Sequence, residues 1–141
     1  MRLLQCSEDG TFSLTEDLVS DHPIPPYAIL SHRWRKNDEE VTFEDMTNGA
    51  GKNKPGYEKI QFCGEQARLD GLQYFWIDTC CINKSNRGEH QKAINSMFRW
   101  YRNAVKCYVY LYDVSTRRRR KRDGNLKDRW ESDFRNSNWF T

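Results

Sequence analysis

The chain has 141 residues, enough for one hydrophobic core and too few for two. Mean hydropathy is −0.97 and 30% of residues are charged, but the aromatic fraction of 13%, with five Trp, argues against a disordered chain. Net charge is +3, and six of the 23 bases form one run, Arg117 to Arg122, so the rest of the chain carries more acids than bases.

Leu3, Leu4, Phe12 and Leu14 flank Asp9-Gly10, a favoured turn pair, and predict a small hairpin. His22-Pro23-Ile24-Pro25-Pro26 forces an extended path. It feeds the first core strand, Tyr27 to Ser31, which ends in the polar and aromatic cluster Ser31-His32-Arg33-Trp34. Val41 to Met46 reads as a brief ordered piece, and residues 48–56 as an exposed loop. Tyr57, Ile60, Cys63 and Ala67 recur at helical spacing and predict a helix over Tyr57 to Asp70. Gly71 sits where a left-handed stop belongs.

The run Tyr74-Phe75-Trp76-Ile77 carries no charge and suits a strand buried on both faces. It stops at Asp78, and Cys80, Cys81 and Asn83 follow. A second helix is expected over about Glu89 to Ala104, its stripe of Ile94, Met97, Phe98, Tyr101 and Val105 facing the core. Cys107 to Leu111 reads as the third core strand, closed by Asp113.

This order predicts an α/β fold in three layers, a mostly parallel sheet with flanking helices. All three core strands end in polar groups, and in a parallel sheet those ends share one edge, where ligands bind. Ser31, His32, Trp34, Asp78 and Asn83 are therefore the candidate ligand-binding residues. Trp34 reads as a packing residue before a stacking one, and Cys80 and Cys81 as buried small hydrophobes. No catalytic residue is assigned.

The five cysteines are irregularly spaced, which argues against a disulfide framework or a zinc ribbon, and the histidines form no ligand pair, so no metal is expected. No apolar run nears the roughly 18 residues that span a bilayer. The expectation is a cytoplasmic protein without a membrane partner. The basic run, in a loop over about 116–129, reads as solvated rather than as a nucleic-acid surface, because no aromatic residue interleaves it.

Four blocks taken together are recognisable: Pro26 to Trp34, Glu40 to Phe43, Trp76 to Lys84 and Ala93 to Tyr101. In this order they closely resemble the fungal heterokaryon incompatibility (HET) domain family. The resemblance implies a single domain over 1–141, with a core of about 24–115. It also implies a fold similar to the Toll/interleukin-1 receptor (TIR) domain, which is flavodoxin-like. The implied function is non-self recognition, in which the domain triggers cell death when incompatible hyphae fuse. Self-association, or contact with other incompatibility proteins, is the implied mode, with no cofactor required.

Some TIR-like domains hydrolyse NAD, which makes NAD a possible substrate and a NAD hydrolase the alternative reading. The chain departs from the family pattern twice. Arg35 follows Trp34 where the family usually has Gly. The chain also stops after Trp139-Phe140-Thr141, before the block in which a matching glutamate would be expected. The domain is therefore expected to be incomplete at its C-terminus and inactive on NAD.

Overall fold

The computed structural model describes residues 1–19, 23–114 and 134–137. The strands are β1 (Leu4–Cys6), β2 (Phe12–Leu14), β3 (Tyr27–His32), β4 (Tyr74–Trp76) and β5 (Lys106–Tyr110). The helices are α1 (Phe43–Asn48), α2 (Tyr57–Leu69), α3 (Asp78–Cys81) and α4 (Arg87–Asn103). The basic run Arg117 to Arg122, with the loop around it, and the aromatics Trp139 and Phe140 lie outside the described residues.

The strands form one sheet in the order β2-β1-β4-β3-β5. β3 pairs in parallel with β4 on one side and with β5 on the other. Each crossover carries a helix, and a parallel return needs a connection of that length. β4 stops at Trp76, so Asp78 opens α3 rather than closing a strand.

The hairpin forms around Gly10, which takes φ 81°. It does more than lead into the domain. β1 pairs antiparallel with β4, so the hairpin extends the core sheet. The sheet is therefore mixed, where a mostly parallel one was expected. Leu3 and Leu4 are fully buried there, and each buried Leu contributes about 2 kcal/mol.

Phe75 and Trp76 are neighbours in a strand and point to opposite faces. α2 covers the Phe75 face. A Cβ on its Gly64 would come within 2.4 Å of the Phe12 ring, and Phe12 meets Phe75 edge-on at 5.6 Å. α4 covers the other face, where Trp100 and Tyr101 pack on Trp76 at 5.5 and 6.2 Å. The result is three layers.

One expectation about packing is corrected. Ile94 and Phe98, assigned to the core, are 52% and 80% exposed, and Val105 is exposed beyond the helix. α4 instead packs through Ala93, Met97, Trp100, Tyr101 and Ala104. Two overlapping stripes share its spacing, and the small Ala93 lets its own stripe approach the sheet. The 48–56 segment is exposed at most of its positions, as expected, and folds back through two glycines. Gly51 and Gly56 are buried, and a Cβ on Gly56 would meet Glu39 O at 2.6 Å. α1 starts this return with a reciprocal cap, Thr42 with Asp45.

Candidate functional site

The polar centre of the molecule lies where β3 and β4 end. His32 closes β3 on the face that α2 covers, opposite Tyr110 in register, whose ring packs on Phe62 of α2 at 5.1 Å. Its imidazole is buried. Burial first, and then the Lys59 ammonium, hold its pKa down to about 4, so the ring is neutral at pH 7. Asp78 Oδ1 stands 3.3 Å from His32 Nε2. Their angles make no hydrogen bond, and with a neutral ring the contact is not an ion pair.

Asp78 spends its other oxygen on Trp34. The indole N–H donates to Asp78 Oδ2 at 2.7 Å. Trp34 is 56% exposed, which corrects the expectation of a packing residue. Its ring carries the Lys84 ammonium 4.2 Å from the centroid. A planar ligand stacking on that face of Trp34 would first have to displace Lys84.

The structure therefore brings His32, Trp34 and Asp78 together. Ser31 lies at the same sheet edge, but as the neighbour of His32 in the strand it faces the opposite layer. Asn83 is used locally. Its Oδ1 accepts the Ser85 N–H at 3.2 Å, and its own N–H donates to Glu89 Oε1 at 3.1 Å. Glu89 also pairs with Arg2, so this turn fastens α4 to the N-terminal segment. Arg35 turns away from the centre, over the Tyr112 ring at 4.7 Å and toward Glu58 at 3.7 Å.

Two members of the centre escape a sequence reading. Lys59, on α2, has a side chain only 2% exposed, and its ammonium meets Glu40 Oε2 at 2.5 Å. Glu40 Oε1 also accepts the Arg35 N–H at 2.7 Å. Burial pushes the Lys59 pKa down, and the Glu40 contact opposes that push. The available signal was spacing: Lys59, Cys63 and Ala67 recur every four residues, so the lysine lies on the buried stripe.

His32 Nδ1 and Nε2, Asp78 Oδ1 and Thr79 Oγ1 are buried with no hydrogen-bond partner among the described residues. Such atoms are uncommon in folded proteins and mark a place where a polar group could be received. Cys80 is fully buried, and a contact with Cys81 followed by burial push its thiol well up, which suits the expected apolar role. No group of His, Cys, Asp and Glu among the described residues is arranged to hold a metal. No helix among them is long and apolar enough to cross a membrane.

The family profile described as "Heterokaryon incompatibility protein (HET)" matches residues 27–141, most of the chain. The chain belongs to the HET family. This HET domain is 54% identical over all of its 141 residues to "Vegetative incompatibility protein HET-E-1" of Podospora anserina. It spans 10% of the length of that relative. No solved structure matches it.

The four sequence blocks that carry the HET resemblance surround the polar centre. They supply His32 and Trp34, Glu40, Asp78 with Lys84, and Tyr101 in turn. Tyr101 hydrogen-bonds Leu30 O at 3.0 Å. Burial and then the Asp78 charge raise its phenol to about 12.

Proposed function

We propose that this domain acts in heterokaryon incompatibility as a signalling module that works by associating with further copies of itself. The observation that carries this reading is β5, which has no outer neighbour among the described residues and exposes Cys107 and Val109. An edge strand offers unpaired N–H and C=O groups to another chain. Contact with other incompatibility proteins would use the same edge. A TIR-like reading of the α/β sheet fits such a module, and cell death is its proposed output. The test fuses the chain to a chemically dimerised tag and expresses it in a filamentous fungus. Adding the dimeriser should arrest growth, and normal growth of clustered cells would remove the reading.

A second reading, cleavage of NAD, draws on the meeting of His32, Trp34 and Asp78 at one sheet edge. Breaking a glycosidic bond through an oxocarbenium-like state needs a carboxylate free to face the sugar. Asp78 gives one oxygen to Trp34 and buries the other beside His32, and Glu40 is held by Lys59, so neither carboxylate faces a sugar and the chain is expected to leave NAD intact. Nicotinamide release that Asp78→Ala abolishes would put this reading first.

A further inference from the structure

The segments that flank the two outer strands of the sheet, β2 and β5, differ in charge. Around β2 stand Glu8, Asp9, Glu16 and Asp17, all exposed. The amino terminus pairs with Asp17 at 2.5 Å, and Lys52 influences Asp9 only weakly. Glu8, Asp9 and Glu16 have no ion-pair partner among the described residues. Lys106 opens β5, and Arg99 and Arg102 lie on the end of α4 that leads into it. All three are exposed and without a carboxylate partner among the described residues. Asp70, an acid that touches the strand, accepts the Tyr108 hydroxyl at 2.5 Å.

Both edges also present backbone groups. Ser7 N–H donates to Thr11 O and Thr15 N–H to Leu3 O. Odd positions of β2 therefore bond to β1, and the amides of Phe12 and Leu14 point outward. Val105 N–H donates to Tyr27 O. By the same alternation the amides of Lys106, Tyr108 and Tyr110 point away from β3. Direction matches as well. β2 is antiparallel to β1 and β1 to β4, so β2 runs the same way as β3, β4 and β5.

We propose that the chain associates head to tail, the β5 edge of one copy adding in parallel to the β2 edge of the next and continuing the sheet. This rests on the self-association reading above and names its surface. Symmetric pairings are disfavoured because β5 against β5 sets bases opposite bases, and β2 against β2 sets acids opposite acids. Lysine on an edge normally blocks pairing. Here Lys106 blocks its own kind and leaves the acidic edge as partner. A head-to-tail contact does not saturate at two copies, so it builds rings or filaments.

The test is light scattering on the 141-residue chain across concentration and salt, with circular dichroism on every variant to confirm an unchanged fold. Mass should rise past the dimer at low salt and fall as salt screens the edges. Arg102→Glu with Lys106→Glu should raise the concentration for half-association about tenfold, as should Asp9→Lys with Glu16→Lys. Combining all four in one chain should restore association, because opposite charges again meet. A monomer under every condition removes the self-association reading and this one together. Mass that stops at the dimer, or association indifferent to the reversals, removes the edge assignment alone.

Discussion

The indole N–H of Trp34 donates to Asp78 Oδ2 at 2.7 Å and so ties the end of β3 to the first residue of α3 across 44 residues of sequence. The bond is half open to water because Trp34 is exposed, yet it orients the carboxylate that stands beside buried His32.

Trp34→Phe keeps a ring beneath Lys84 and removes the donor. A hydrogen bond to a charged group is worth about 1.5–3 kcal/mol, and exposure lowers that here to about 1 kcal/mol. Urea unfolding should show this loss. An unchanged midpoint would mean that water replaces the indole without cost.

Lys59→Met leaves Glu40 buried against an apolar side chain. Breaking a buried pair from one side costs about 3–5 kcal/mol. The double variant Glu40→Gln with Lys59→Met should recover part of the loss, since no unpaired charge remains. If the single and double variants unfold at the same denaturant concentration, the pair is not the source of the stability.

His32 gives the fold a dependence on acid. In the unfolded chain it takes its proton near 6.5, and in the folded chain near 4. Between those values the unfolded state binds the extra proton, so acid favours unfolding. The contribution of the neutral ring is whole above pH 6.5 and gone by about pH 4, an amount on the order of 3 kcal/mol. His32→Gln cannot titrate and should lose less stability than the parent between pH 7 and 4.5. Equal slopes for the two proteins would sink the assignment.

α4 provides a paired comparison. Phe98 is largely exposed, so Phe98→Ala should change stability by less than about 0.5 kcal/mol. Trp100 packs on Trp76, so Trp100→Ala should cost about 2 kcal/mol or more. Thermal melts of the two variants decide the point, and a larger loss from Phe98→Ala would restore the helix face first expected from spacing.

Local chemistry made much of this molecule legible in the sequence. The aromatic run of β4, the Asp9-Gly10 turn and the Tyr57 helix with its Gly71 stop each depend on a few adjacent residues, and each formed where the pattern placed it. The same holds for the convergence of His32, Trp34 and Asp78, because parallel strands bring their ends to one edge.

Other features depended on contacts between distant segments. Nothing near Leu3 shows that the hairpin will join β4, since that choice rests on which sheet edge is free. α4 has two apolar stripes at helical spacing, and only the sheet beneath it selects the one with Ala93 and Trp100. Lys59 is apolar neither in type nor in propensity, and it is buried because Glu40 returns from another loop to meet it. The elements and the family pattern can be read along the chain, because short-range sterics and apolar spacing are written in neighbouring residues. Which polar groups are buried together emerges only on folding, because the pairing that makes such burial tolerable comes from residues far apart in the chain.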